Sequence, residues 1–441
     1  MEIFAALGGT VWTVFFFIVA LSIIIFVHEY GHYIVGRWTG IHAEVFSLGF
    51  GPVIWSRMDR RGTRWQLAAV PFGGFVKFLG DADAASVRPG DTSGLSAAER
   101  RHTMAGAPLW ARSATVAAGP VFNFVLTFFV LAGLLLYSGM PQEQPTVGKL
   151  MATPFAGPTL QAGDVIVAVD GTPTPDLAAF RDATRALPPE PVVDYAIQRG
   201  SDQISVKGPH PYPALVSMVL IRSAAMDAGI KEGDVILKAA GQDVTVFAQL
   251  PEIVAASKGA PVPLTIWRDG KTFEVTLTPR IRVTEDADGA LIEKYQIGLG
   301  SGLVFEPATR NVGPLELVTL TGTEMWRQVS ATFTGISHLI TGQISTCNLS
   351  GPIGMAETMG DAARNGLESF LGMLAVLSLG VGILNLFPIP VLDGGHLVFH
   401  AYEAVVRRPP SDRALRVMMS LGLAVILSLM VFALTNDIVC V

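Results

Sequence analysis

The stretch Ile23-Ile24-Ile25-Phe26-Val27-His28-Glu29-Tyr30-Gly31-His32 joins a long apolar segment to a cluster of ionisable side chains. Residues 3 to 27 contain no charged residue. At about 1.5 Å per residue, a helix of this length crosses the hydrocarbon core of a bilayer, which is about 30 Å thick. The sequence therefore predicts a first membrane helix. We expect it to be retained, because Glu2 stands where a signal peptide carries basic residues.

The ionisable cluster at the end of this helix has the spacing of a metal site. Two histidines four positions apart lie on one face of a helix, where His28 and His32 can bind one metal ion. Glu29 stands beside them and is expected to act as general base on a water molecule at that ion. Zn²⁺ favours such nitrogen ligands and lowers the pKa of bound water to about 7. The alternative is an ordinary interfacial helix end that carries two histidines.

Composition places the whole chain in the membrane class. Half of its 441 residues are hydrophobic and only 15% are charged. The net charge of −6 argues against a nucleic-acid partner. The two cysteines, Cys347 and Cys440, are too few for a disulfide framework and have no metal-ligand spacing.

Three further uncharged segments, residues 114–137, 370–392 and 417–435, are long enough to span a bilayer. We predict a multi-pass α-helical membrane protein with four transmembrane helices. The expected boundaries are 1–36, 113–138, 367–400 and 417–436.

The distribution of basic residues predicts the orientation of these helices. Ten Lys and Arg residues lie between 37 and 112, and four lie between 407 and 416. By the positive-inside rule both connections, 37–112 and 401–416, are cytoplasmic, and both termini and the long insert are external. His28 and His32 then lie near the cytoplasmic side.

Residues 43 to 80 alternate apolar and polar side chains around glycine-rich turns, which predicts a small membrane-associated β-sheet. Its edge could receive an extended peptide by strand addition. A cytoplasmic cap without substrate contact is the alternative. The polar residues 81–99 are expected to form a mobile loop.

The external insert contains an internal repeat. Residues 160–171 recur as residues 230–241, each copy a Gly-Asp turn that enters an apolar strand. The pattern resembles two α+β PDZ-like domains in tandem, over 139–212 and 213–282. Pro213-Ala214-Leu215-Val216 departs from the Gly-Leu-Gly-Phe-like loop of PDZ domains, so a packing or size-filter role is an alternative to peptide binding. A helical linker is predicted over 283–366, where residues 315–344 lie on the membrane surface or pack against the second repeat.

The third membrane segment ends in Asn385-Leu386-Phe387-Pro388-Ile389-Pro390-Val391-Leu392-Asp393-Gly394. Pro388 and Pro390 interrupt the helical hydrogen bonds and free backbone carbonyls. Asp393 is the expected third metal ligand. The first and third membrane segments then both place polar groups, which are unusual in a membrane, at the same depth. Asn385 could hold a substrate backbone or a developing oxyanion, or could make a hydrogen bond between helices.

Other residues are also candidates for the third metal ligand. Trp38 occupies the position at which metzincins carry a third histidine, so that arrangement is absent. Glu44 and Asp59 follow the motif in a region predicted as strand or turn. His396 and His400 form a second pair with Asp393, which could bind a second metal ion, but no acid lies between them.

The combination of His28-Glu29-Tyr30-Gly31-His32 with Asn385 to Gly394 resembles the site-2 proteases, zinc metalloproteases that cut within the membrane. Two external PDZ-like domains make it similar to the bacterial members that act in sigma-E signalling. Further matches to this family are residues 72–77, 119–124 and 349–354.

The resemblance implies that His28, His32 and Asp393 bind Zn²⁺ and that Glu29 activates water. It also implies that Asn385, Pro388 and Pro390 engage the substrate. Substrates of the family are single-span proteins of the inner membrane, namely an anti-sigma factor already shortened by another protease, and remnant signal peptides. Their cleavage leads to transcription of envelope-stress genes.

Two other function classes remain as alternatives. A catalytically silent PDZ scaffold would need neither Glu29 nor Asp393. A membrane metalloprotease that acts on aqueous loops would not need the proline-rich Asp393 segment. Metal transport is disfavoured by the single compact ligand set, and iron or cobalt would suit the same ligands as zinc.

Overall fold

The computed structural model describes residues 2–81, 94, 96–154, 160–220, 222–285, 291–344, 346 and 349–439. Cys347, Cys440 and most of the loop predicted over 81–99 lie outside the described residues. The chain divides into two compact units. Residues up to Leu134 and from Leu315 onward form the membrane unit, and Leu135–Pro314 form the inserted unit.

The membrane unit contains all four of the helices that are long and apolar enough to cross a membrane among the described residues. The four predicted membrane helices are therefore present. The helices of this unit are α1 (Glu2–Trp38), α2 (Ala97–Arg100), α3 (Leu109–Ser138), α7 (Pro314–Ile340), α8 (Pro352–Arg364), α9 (Leu367–Asn385), α10 (Asp393–Val406) and α11 (Asp412–Val439). The candidate spanning segments are Gly9–Trp38, Leu109–Ser138, Leu367–Asn385 and Arg413–Val439.

The third membrane segment differs from the single helix expected over 367–400. Helix α9 ends at Asn385, and α10 begins only at Asp393. Pro388 and Pro390 lack the N–H group that would continue the helix. The turn between the helices packs tightly, since a Cβ atom on Gly394 would lie 2.3 Å from the Phe387 carbonyl oxygen.

Strands β1 (Ala43–Met58) and β2 (Arg64–Phe78) follow α1, as the alternating pattern predicted. Ser47 is a register partner of both Phe75 and Gln66, so the first part of β1 lies between the two halves of β2. A buried aromatic contact joins the sheet to α1. The rings of Phe46 and Trp65 stack with centroids 4.3 Å apart, and the Tyr33 ring meets Trp65 edge-on at 5.1 Å.

Helix α7 is a single helix on which no large apolar side chain is buried, and Leu315 and Trp326 are 79% and 70% accessible. Burial of this stripe in a core, one of the two alternatives raised by the sequence, is therefore not observed.

Helix α8 packs along α1 in the membrane unit. A Cβ atom on Gly360 would lie 2.5 Å from Oγ1 of Thr13, so the glycine permits this close approach. The carboxylate of Asp437 on α11 accepts hydrogen bonds from the first backbone N–H groups of α8, at Gly351 (2.8 Å), Ile353 (2.9 Å) and Gly354 (3.1 Å). Asp437 thereby caps the helix from another part of the chain.

The inserted unit contains two four-stranded sheets that repeat one arrangement, with strand orders β6-β5-β7-β8 and β11-β10-β12-β13. The first comprises β5 (Val165–Val169), β6 (Thr172–Pro173), β7 (Val192–Arg199) and β8 (Asp202–Pro209), with helix α4 (Leu177–Arg185). The second comprises β10 (Val235–Ala239), β11 (Gln242–Asp243), β12 (Val262–Arg268) and β13 (Lys271–Leu277), with helices α5 (Ala224–Asp227) and α6 (Gln249–Ala256).

Each copy of the Gly-Asp turn carries the same ion pair. Asp164 is bound by the Nε and Nη2 atoms of Arg199 at 2.7 and 2.8 Å. Asp234 is bound in the same way by Arg268, at 2.6 and 2.7 Å. Both carboxylates are buried, so the two-pronged guanidinium satisfies a group that would be costly to leave unpaired.

The helical linker expected over 283–366 is not observed in its first part, which forms strands. These are β14 (Arg280–Glu285), β15 (Leu291–Gln296), β16 (Leu299–Ser301), β17 (Phe305–Pro307) and β18 (Thr309–Arg310). The last three pair with the early strands β9 (Val216–Val219), β4 (Val147–Leu150) and β3 (Met140–Pro141), respectively. Because these partners lie far away along the chain, local periodicity could not predict the pairing.

Candidate metal centre

The two histidines of the HExxH sequence face each other on α1. Their Nε2 atoms are 3.2 Å apart, and their rings meet edge-to-face. Side-chain accessibility is only 12% for His28 and 13% for His32. The helical spacing of four residues therefore directs both nitrogens to one partly buried point, as the sequence predicted.

Asp393 joins this pair from the first turn of α10. Its Oδ2 atom lies 3.1 Å from Nε2 of His28 and 3.5 Å from Nε2 of His32. This Oδ2 is buried, and it forms no hydrogen bond within the part of the chain that the structure describes. A carboxylate in the first turn is also stabilised by the helix dipole, which favours this placement.

These three atoms fit one zinc ion. The three separations, 3.1, 3.2 and 3.5 Å, match the spacing of about 3.3 Å between ligand atoms around a tetrahedral Zn²⁺ with bonds of about 2.0 Å. Three lone-pair-bearing atoms at this distance repel one another unless a cation or a proton lies between them. Among the described residues, this is the one group of three His, Cys, Asp or Glu side chains with ligand atoms close enough to share an ion.

The outward-facing nitrogens of both imidazoles are held by α3. Nδ1 of His32 lies 2.8 Å from the carbonyl oxygen of Thr115. A carbonyl only accepts, so Nδ1 carries the proton and Nε2 keeps its lone pair for a metal. Nδ1 of His28 lies 3.2 Å from the side-chain amide of Asn123. The role of Asn123 was not predicted from the sequence, although an amide in an otherwise apolar helix is a signal of a functional residue.

Glycine brings α3 this close to the site. A Cβ atom on Gly119 would lie 2.3 Å from Nε2 of His32 and 2.8 Å from Cε1 of His28. On α1, a Cβ atom on Gly31 would lie 2.5 Å from the Ala118 carbonyl oxygen. The space that the imidazoles occupy exists because neither glycine has a side chain.

Glu29 lies beside the three-atom cluster and against the sheet. A Cβ atom on Gly74 of β2 would lie 3.1 Å from Cγ of Glu29. Strand β2 thus lies against Glu29, and this contact between α1 and the sheet could not be predicted from the sequence.

The alternative third ligands are engaged elsewhere. Glu44 forms an ion pair with Lys77 at 2.9 Å. Asp59 accepts hydrogen bonds from its own turn and from nearby aromatic side chains. Nδ1 of His400 lies 3.2 Å from Oγ of Ser113. Neither acid, nor the second histidine pair, contributes to a three-ligand cluster among the described residues.

The predicted substrate-binding residues lie next to Asp393 in the chain. Asn385, the last residue of α9, donates from Nδ2 to the carbonyl oxygen of Val381 in its own helix at 3.0 Å. Pro388 and Pro390 belong to the turn that leads into α10. The ring of Phe387 in this turn lies 6.4 Å, between centroids, from that of Phe333 on α7.

The histidine pair and Asp393 could hold one metal ion in a unit with four candidate membrane helices, an arrangement that fits a membrane metallopeptidase. The chain belongs to peptidase family M50, whose sequence profile matches residues 16–429. It is therefore a metalloendopeptidase that uses Zn²⁺ as its cofactor.

Named relatives cover nearly the whole chain. A protein named as a zinc metalloprotease in Agrobacterium fabrum is 36% identical over 99% of this chain and 98% of its own length. The regulator of sigma-E protease of Escherichia coli is 34% identical over 97% of this chain and 98% of its own length. The regulator of sigma-E protease of Salmonella typhimurium has the same identity and coverage.

Proposed function

We propose that this protein is an intramembrane zinc protease in which His28, His32 and Asp393 hold the metal ion and Glu29 is the general base. The observation that carries the proposal is the mutual spacing of the three ligand atoms, 3.1 to 3.5 Å, within the membrane unit. A scaffold protein without catalytic activity would not need such a cluster. Ionisable groups at membrane depth are energetically costly and usually mark a functional site.

The proposed chemistry divides between the metal and Glu29. When bound, Zn²⁺ polarises the scissile carbonyl and lowers the pKa of water. The Glu29 carboxylate accepts a proton from the attacking water and delivers it to the leaving amide nitrogen. The close approach of Gly74 on β2 restricts where this side chain can lie.

A transmembrane substrate hides its peptide bonds within its own helix, so it has to unwind before cleavage. The turn with Pro388 and Pro390 has backbone groups that are not used in a helix, and Asn385 lies at its start. These residues engage the unwound substrate backbone. Strand β2 runs beside Glu29 and is a second candidate for contact with an extended peptide.

The substrates proposed here are single-span membrane proteins, with an anti-sigma factor and signal-peptide remnants as specific candidates. The names of the relatives from Escherichia coli and Salmonella typhimurium support a role in sigma-E regulation. The protein lies in the inner membrane, with both termini and the inserted unit on the periplasmic side. The two repeated sheets are PDZ-like domains, over about residues 139–212 and 213–282, that select substrates by size or bind their ends.

A cleavage assay tests this proposal. A single-span model substrate in liposomes is incubated with wild-type protein, Glu29→Gln or Asp393→Asn, and the zinc content of each is measured. We expect the wild type alone to cut within the span, Glu29→Gln to keep zinc, and Asp393→Asn to lose it. Zinc retention in Asp393→Asn, or turnover by Glu29→Gln, would contradict the assignment. Cleavage confined to aqueous loops would instead indicate a protease with an aqueous site.

A further inference from the structure

Asn123 is a fully buried amide on α3 that faces the metal-binding pair. Its Nδ2 atom lies 3.2 Å from Nδ1 of His28. Its Oδ1 atom is buried and has no hydrogen-bond partner within the described residues. Because buried polar atoms are almost always hydrogen-bonded, the orphaned oxygen requires an explanation.

The backbone around Asn123 is fixed in place. Its carbonyl oxygen accepts hydrogen bonds from Oγ of Ser378 on α9 and from Oγ1 of Thr127, each at 3.0 Å. Thr127 also reaches the Ala375 carbonyl of α9 at 3.0 Å. Ser378 and Thr127 each tie the Asn123 backbone to α9, so the backbone stays next to His28 even when one of the two bonds is lost.

If the assigned oxygen and nitrogen atoms of the Asn123 amide are exchanged, the oxygen faces Nδ1 of His28 and has a hydrogen-bond partner. The oxygen and nitrogen of an asparagine amide have nearly the same shape, so their assignment rests on hydrogen bonding. With Oδ1 towards His28, the oxygen accepts the Nδ1 proton, and Nε2 keeps its lone pair towards Asp393 and His32. In the opposite orientation Nδ1 accepts, and the proton of a neutral imidazole lies on Nε2, where the metal has to bind.

We propose that Asn123 is a positioning residue that accepts the Nδ1 proton of His28 and so presents Nε2 to the metal ion. His32 already has the equivalent acceptor in the Thr115 carbonyl. Both imidazoles are then oriented from α3, one by a backbone oxygen and one by a side-chain oxygen. The inference rests on the proposed metal ligands. Loss of such a partner typically weakens metal binding 10- to 100-fold.

Three substitutions in the full-length protein test this role. Asn123→Leu removes the hydrogen-bond acceptor and replaces it with an apolar side chain of similar size. Asn123→Asp keeps an acceptor, and its charge is offset by the nearby cation. Ser378→Ala removes the hydrogen bond to the Asn123 backbone and leaves the His28 contact intact. Purified, metal-free proteins in detergent are titrated with Zn²⁺ in competition with a chromophoric chelator, and with Co²⁺ followed by its visible absorption.

We expect Asn123→Leu to bind Zn²⁺ about 10- to 100-fold more weakly than the wild type. Asn123→Asp should stay within a few-fold of the wild type and keep its Co²⁺ spectrum, as should Ser378→Ala. Wild-type affinity in Asn123→Leu would overturn the proposal. An equal loss in Asn123→Asp would overturn it too, since an acceptor is still present there.

Two controls keep the test decisive. Thermal unfolding of the metal-free proteins shows whether Asn123→Leu folds, and Asn123→Ala takes its place in the comparison if it does not. Asp393→Asn is titrated in parallel. Unchanged zinc affinity in Asp393→Asn would show that the proposed ligands, and with them the proposed function, are wrong. If zinc affinity falls in Asp393→Asn but not in Asn123→Leu, only the proposed role of Asn123 is overturned.

Discussion

Gly119 on α3 lies so close to His32 on α1 that a methyl group on its Cα would stand 2.3 Å from the imidazole Nε2. The proposed zinc ligands on α1 thus have room only because one residue of the neighbouring helix lacks a side chain. The HExxH sequence supplies the two histidines, and α3 leaves the space in which their Nε2 atoms approach each other.

Gly119→Ala should abolish zinc binding, because the added methyl group displaces His32 or forces α3 away from α1. We expect the zinc content of the purified protein to fall to a small fraction of the wild-type value, with loss of proteolysis. Gly133→Ala on the same helix is the matched control, since a Cβ atom there would meet nothing within 4 Å. Full zinc content in Gly119→Ala would show that the helices separate more easily than the structure implies.

Chelation should destabilise the wild type but not a variant that lacks a ligand. A metal that binds only the folded state raises its stability, by about 2.7 kcal/mol when the free metal is at 100 times its dissociation constant. A strong chelator should therefore lower the thermal unfolding midpoint of the wild type. Asp393→Asn should show the same midpoint with and without chelator, and an equal shift in both proteins would contradict this ligand assignment.

Asp437→Ala should destabilise the membrane unit. The substitution leaves the backbone N–H groups of Gly351, Ile353 and Gly354 without their acceptor at the start of α8. Loss of such a cap costs about 1 to 3 kcal/mol. Thermal unfolding in detergent measures the effect. Thr435→Ala, which removes only a hydrogen bond within exposed α11, should leave the midpoint nearly unchanged.

The Asp164 ion pair should make the first sheet sensitive to acid. The Arg199 guanidinium beside Asp164 holds the pKa of that carboxyl below its usual range. A carboxyl with a lowered pKa in the folded state stabilises the fold above its unfolded pKa, which is about 3.9. That stabilisation is lost as the pH falls through the folded pKa.

Hydrogen exchange in the full-length protein checks this effect. Exchange in residues 161–169 should accelerate, after correction for the intrinsic rate, as the pH falls below about 4. Arg199→Gln should exchange faster already at neutral pH and respond less to acid. Arg185→Gln is the control, because its partner Asp182 is exposed and the pair contributes little. An unchanged acid response in Arg199→Gln would show that another group is responsible.

Much of the architecture could be predicted from local sequence. The lengths of the uncharged segments predicted the four membrane helices, and the two Gly-Asp turns predicted the repeated sheets. The strands over 299–310 were missed because each pairs with a partner far away along the chain. The end of α9 at Asn385 was also missed, although both prolines were noted, since helix ends depend on packing as well as on sequence.

The sequence by itself determined the chemistry of the site: His28 and His32 share a face because of helical periodicity, and Asp393 is an acid at the end of an apolar segment. Only the tertiary structure brought Asp393 Oδ2 to 3.1 Å from His28, and only it placed Thr115, Gly119 and Asn123 against the imidazoles. The physical reason is that ligand type and local spacing are properties of a single helix. Convergence, imidazole orientation and the space for a metal ion depend on how three separate helices pack.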